Sequence, residues 1–158
     1  MDDTFGLTEQ LDHPGTQSVI IVGTGYIGLE MAEALSTRDL DVCVLERYEQ
    51  VMARSIDAQM AAHLAAELQR HGVELRCGVT VTSVVRENGK LMVTSTDGQT
   101  RRADAVLVVT GVAPAVELAT MAGAQIGAAG AIASDADRSA RRLRCRGLRG
   151  DLPPVTRP

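Results

Sequence analysis

Residues 18–22 (SVIIV) form a short, mostly β-branched apolar run, the pattern of a parallel strand buried on both faces. Glycines follow at once, and residues 29–36 (LEMAEALS) then place Leu29, Ala32 and Leu35 on one side of a predicted helix. Residues 41–46 (DVCVLE) form a second buried-strand pattern, so strand, glycine turn, helix and strand fit within the size of a βαβ unit. Ile56, Met60, His63, Leu64 and Leu68 recur at helical spacing over residues 56–71, with Gly72 placed as a C-cap, and residues 73–76 make a brief third strand.

The alternation of strand and helix then breaks. Residues 79–86, 90–96 and 99–102 are short β-like runs separated by Asn88-Gly89 and Asp97-Gly98. Both dipeptides suit the positive φ angles of tight primed turns, which predicts a three-stranded antiparallel meander in place of a crossover helix. Residues 105–109 (AVLVV) return to the buried parallel pattern, and a short helix is expected over residues 115–122. The predicted fold is α/β, a Rossmann-like parallel sheet with a three-stranded antiparallel β-meander as crossover. Residues 1–17, punctuated by Pro14 and Gly15, read as a linker, residues 18–133 as the domain, and residues 134–158 as an Arg/Pro-rich tail expected to be poorly ordered.

Charge sharpens that division. Residues 1–133 hold nine Lys+Arg against seventeen Asp+Glu, whereas residues 134–158 hold seven Arg against three Asp. With one Phe, two Tyr and no Trp, there is little to stack on bases, and nucleic acid is not an expected partner. Cys43, Cys77 and Cys145 form no CxxC pair, and Cys43 is expected as a small core residue. No apolar leader or membrane span is read, and the expected setting is a reducing cytoplasm. The three histidines lack ligand spacing, so no metal site is expected, and no nucleophile-elbow motif supports hydrolysis.

Gly23, Gly25 and Gly28 are the glycines of a GxGxxG that follows a strand and opens a helix. The first permits the tight turn, the second lets backbone approach a pyrophosphate, and the third lets helix and strand pack closely. The helix N-terminus supplies N–H groups and dipole to the phosphates. Glu46 ends the second strand eighteen residues beyond Gly28, where a carboxylate can accept from both adenosine ribose hydroxyls, which favours NADH. Arg47 follows and could meet a 2′-phosphate, leaving NADPH as the alternative. Glu30 is expected in the first helical turn, where the dipole favours a carboxylate in any case.

Residues 19–35 (VIIVGTGYIGLEMAEAL), the meander, and residues 105–118 (AVLVVTGVAPAVEL) together resemble the NAD(P)H-binding domain of the pyridine nucleotide-disulphide oxidoreductases, over roughly residues 10–133. The nearest branch holds NADH oxidases, CoA-disulphide reductases and ferredoxin or nitrite reductase partners. The resemblance implies that Gly23, Gly25 and Gly28 bind the pyrophosphate and Glu46 the adenosine ribose. It implies that Ile27 and Glu30 lie near the nicotinamide and the flavin interface, that Tyr26 stands where a gating residue covers the flavin, and that Gly111 approaches the nicotinamide half, with Val112 and Pro114 shaping the turn.

Family members also carry an FAD-binding domain with its own GxGxxG and usually the redox cysteine, an Ala-Gly-Asp motif contacting FAD, and a dimerisation domain. None of these is matched here, so the chain reads as a fragment whose partner is the missing FAD domain of a parent enzyme. It is expected to bind the dinucleotide weakly at best, to turn nothing over and to have no catalytic residue of its own. The tail from about Ser134 reads as GC-rich coding sequence in a shifted frame, which translation of its DNA in the other two frames checks. Two other classes are disfavoured: a nucleotide-sensing module, by the meander and TGxxP, and a short-chain or 2-hydroxy-acid dehydrogenase, because there is no Tyr-xxx-Lys pair and no His-plus-acid couple follows the Rossmann half.

Overall fold

The structure is a computed structural model that describes residues 2–127 and 130–133. The chain divides into two compact units, Met1–Gly111 and Val112–Pro158. The elements run α1 (Asp2–Leu11), β1 (Ser18–Val22), α2 (Tyr26–Ser36), β2 (Asp41–Leu45), α3 (Ala58–Arg70), β3 (Glu74–Arg76), β4 (Val81–Glu87), β5 (Lys90–Ser95), β6 (Thr100–Ala103), β7 (Ala105–Val108) and α4 (Glu117–Met121).

In the first unit, four parallel strands lie in the order β3-β2-β1-β7, and β4-β5-β6 form a separate antiparallel sheet. The α/β fold with a meander as crossover is therefore what the pattern predicts. Strand β1 is apolar from Val19 to Val22 because both of its faces are covered there. Val19 and Ile21 pack with Ala32, Leu35, Val44 and Leu68, while Ile20 packs with Leu45 of β2 and with Val93 and Ala103 of the meander. Each buried Val, Ile or Leu among these contributes about 2 kcal/mol of apolar burial. The meander thus does the work of a second helical layer.

Three local features differ from the sequence expectation. The segment read as a linker is helical over Asp2–Leu11, with Leu11 buried in the core and Leu7 packed against it. These leucines stand at i and i+4, a helical signal that the Pro14-Gly15 punctuation masked. Helix α2 begins at Tyr26, three residues before the apolar stripe, because its first turn carries the glycine motif rather than core residues. Of the two turn dipeptides, only Asn88-Gly89 has positive φ at both positions, +50 and +80. At Asp97-Gly98 only Gly98 does, since the Asp97 carboxylate accepts from Ser95 Oγ (2.7 Å) and Gln99 N (3.1 Å) and holds a wider turn.

Cys43 is half-buried against the meander-side cluster, and burial, followed by the Glu74 carboxylate, pushes its thiol up to about 11. Its side chain packs against the cluster of Ile20, Leu45, Val93 and Ala103. In the second unit, α4 is shorter than the helix expected there, and Ile126 bridges Ile132, with Ala133 N donating to Gln125 O. The expected disorder and shifted frame of residues 134–158 lie outside the described residues.

Asp104, between β6 and β7, ties the entry of β1 to the meander. Its Oδ2 accepts from Gln17 N, Ser18 N and Ser18 Oγ, and its Oδ1 pairs with Lys90 Nζ. Burial alone would raise this carboxyl, but the Lys90 ammonium, the Ser18 hydroxyl and the two N–H groups outweigh it and hold the group well below the usual carboxylate range. A depressed carboxylate stabilises the fold above its unfolded value, and that stability is lost as pH falls toward the folded value. Asp104→Ala is expected to cost about 2 kcal/mol at neutral pH. In urea titrations the gap to wild type should narrow progressively below about pH 4; a gap unchanged at low pH would contradict this role.

Candidate functional site

A cavity of about 440 Å³ opens where the C-terminal ends of β1, β2 and β7 meet. The location follows from topology. The chain leaves β1 on one side for β2 and β3 and returns on its other side as β7, and such switch points leave a crevice beyond the strand ends. Gly23, Thr24 and Gly25 form one wall, Glu46, Arg47 and Tyr48 a second, and Thr110 and Gly111 a third, with residues 52–55 and 79–81 completing the lining.

The three motif glycines are required for different reasons. Gly23 has φ +110, and a Cβ there would stand 2.7 Å from Val109 O, so both conformation and packing demand glycine. Gly28 is buried, and a Cβ would stand 2.1 Å from Gly23 O and 3.3 Å from Val109 Cγ2. Gly25 is unlike both. It caps α2 at φ −71 and ψ −179, which any residue adopts, and a Cβ there would meet no protein atom within 4 Å. Neither backbone nor packing asks for glycine at this position. Space beside the helix N-terminus is what its missing side chain leaves open, and no side chain caps that terminus.

Glu46 is buried, 7% exposed, and its carboxylate is already engaged. Oε2 accepts from Thr24 N at 2.8 Å and from Thr24 Oγ1 at 2.6 Å, and Oε1 accepts from Tyr48 N at 2.9 Å. A carboxylate has about four acceptor positions, so one remains for a ligand. The expectation that Glu46 accepts from both ribose hydroxyls therefore meets a side chain with room for a single such bond in this conformation.

Gly23, Gly25, Glu46, Arg47 and Gly111 come together around the cavity. Gly28 lies beneath the turn. Tyr26, Ile27 and Glu30 stand exposed on α2 and are not among the lining residues. Glu30 is in the second turn rather than the first, because the helix begins at Tyr26 and its first turn contains no acid. Arg47 lies over the Tyr48 ring, 4.7 Å from its centroid, and donates to the Tyr48 hydroxyl at 2.8 Å.

Sequence reasoning missed Thr24, Tyr48 and Arg54. Thr24 occupies a variable position of the motif, yet is almost wholly buried, and its Oγ1 and carbonyl both accept from Met52 N at 3.3 Å. Arg54 lines the cavity from the loop after β2, which no periodic pattern marks. Among the described residues, no group of three or more His, Cys, Asp or Glu is placed to hold a metal ion. No helix among them is long and apolar enough to cross a membrane.

Comparison with known proteins agrees with this fold. The family model described as pyridine nucleotide-disulphide oxidoreductase matches residues 1–141, which includes the first residues of the basic tail. An NAD(P)H sulfur oxidoreductase (CoA-dependent) of Pyrococcus furiosus is 37% identical over 131 residues, covering 82% of this chain and 29% of that protein. The structure of an NAD-dependent persulfide reductase from A. fulgidus superposes with a TM-score of 0.78 at 34% identity, over 85% of this chain and 25% of the other. An engineered water-forming NADPH oxidase bound to NADPH, whose five substitutions include two introduced arginines, gives a TM-score of 0.75 at 27% identity, over 85% of this chain and 29% of the other. The chain thus spans less than a third of the length of each of these three proteins.

Proposed function

Since this chain belongs to the pyridine nucleotide-disulphide oxidoreductase family, we propose that it is the part of an FAD-dependent NAD(P)H oxidoreductase that holds the nicotinamide dinucleotide. Gly25 carries this reading. A glycine that the fold does not require, beside an uncapped helix N-terminus and at the mouth of a cavity, fits a pyrophosphate that must approach the backbone closely. Gly23 and Gly28 bring turn and helix together beneath it, Glu46 offers its one remaining acceptor position to the adenosine ribose, and Gly111 borders the end of the cavity formed by β7.

When bound, the nicotinamide supplies a hydride, and in the whole enzyme the electrons pass through flavin to a disulphide, oxygen or a redox partner. This chain's own residues bind and orient. No side chain at the cavity is assigned a bond-making step, so the chain alone is proposed to bind without turning over, with the FAD domain of the whole enzyme as its partner in a cytoplasmic setting. NADH is the preferred dinucleotide in this reading and NADPH a second ligand, since Arg47 and Arg54 line the same cavity as Glu46.

Titration of the 158-residue chain with NADH and with NADPH, followed by nicotinamide fluorescence or calorimetry, tests the proposal. Saturable binding of NADH, with weaker binding of NADPH, is expected. Saturation by neither would overturn it, and flavin absorbance in the purified chain would overturn the assignment of FAD to a separate domain.

A further inference from the structure

We propose that Thr24 sets the nucleotide preference of this site by occupying both acceptor positions of Glu46 Oε2, an inference that rests on the dinucleotide-binding reading above. Thr24 fills a motif position usually treated as free to vary, yet it is 1% exposed and gives two hydrogen bonds to one carboxylate oxygen, from its backbone N–H and its hydroxyl. An ionised carboxylate only accepts, so the hydroxyl proton points at Glu46. The hydroxyl oxygen is then free to receive Met52 N–H, at 3.3 Å. Met52 has φ +48 and stands two residues before Arg54, so one hydroxyl joins the glycine turn, the acid of β2 and the arginine-bearing loop.

The consequence concerns the 2′ position of the adenosine ribose. Unphosphorylated ribose offers two hydroxyl donors, and Glu46 retains one acceptor position, on Oε1 beside the Tyr48 N–H. Part of the advantage that a strand-ending acid gives to NADH is therefore withheld. The three donors turn their dipoles on the carboxylate and so soften its repulsion of a 2′-phosphate, while Arg47 and Arg54 line the same cavity. Thr24 is a positioning residue: it acts through Glu46 and through the loop, not on the ligand itself.

Thr24→Val keeps the shape and removes the hydroxyl. Glu46 Oε2 then loses its bond to the hydroxyl and the carboxylate is freer to turn toward the second ribose hydroxyl, while Met52 N keeps only its bond to the backbone carbonyl of position 24. Both changes move the ratio of NADPH to NADH dissociation constants in one direction, toward NADH, by about fivefold. Thr24→Ser keeps the hydroxyl and should hold the wild-type ratio. Loosened packing would weaken both dinucleotides together and leave the ratio alone. An unchanged ratio in Thr24→Val, a move toward NADPH, or a Thr24→Ser variant that behaves like Thr24→Val would each overturn the proposal. Should Thr24→Val not fold, Thr24→Ala gives the same reading. Binding of neither dinucleotide by the wild-type chain would instead strike the binding reading, and this inference with it.

Discussion

Gly28→Ala is expected to destabilise the first unit by about 3 kcal/mol or more, a large fraction of the stability of a small domain. The added Cβ would stand 2.1 Å from Gly23 O, and that carbonyl has nowhere to retreat. Gly23 N is bonded to Leu45 O at 2.9 Å, and Gly23 itself is packed so closely on β7 that its own Cβ would stand 2.7 Å from Val109 O. Relief would have to come from lifting α2 off β1, which uncovers Ala32 and Leu35. A urea or thermal unfolding curve of Gly28→Ala measures the loss. Wild-type stability in that variant would mean that the helix does not pack on the turn as described.

Gly25→Ala should do the opposite. At φ −71 alanine fits the backbone, no protein atom lies within 4 Å of the new Cβ, and the change at the helix cap costs under about 1 kcal/mol. The Cβ would project where the ligand backbone has to pass, so NADH affinity is expected to fall by about tenfold or more. The two alanines, three residues apart in one motif, thus separate folding from binding. If Gly25→Ala bound NADH as tightly as wild type, the cavity would be serving something other than a pyrophosphate.

How much of this was legible in the sequence depended on whether a residue's role was set by neighbours in the chain or in space. Strands β1 and β2 were legible because burial on both faces leaves no polar alternation to confuse, and the meander because Asn88-Gly89 encodes a turn locally. The three glycines were legible as a motif, but their division of labour was not, since Gly25 and Gly28 differ only in what stands opposite them. Glu46 was found from its spacing. Where its lone pairs are directed depends on Thr24 and Tyr48, and no spacing rule gives that. Helix α1 carried a signal in Leu7 and Leu11, but its support comes from packing on the core and from Gln10 donating to Asp104 O, 94 residues away.

The contact of Gly23 with the chain beyond β7 also orders events in time. Strands β1 and β7 are parallel neighbours far apart in sequence, and Ser18 bonds Asp104 across 86 residues. Pairings of this kind close slowly, because a long loop must be gathered before any contact rewards it. The glycine turn can be synthesised, and its helix begun, long before Val109 exists to press against it. A ribosome must therefore deliver the meander and β7 before the crevice is complete, and during that interval the motif is an open loop at the end of a strand with one edge still unpaired.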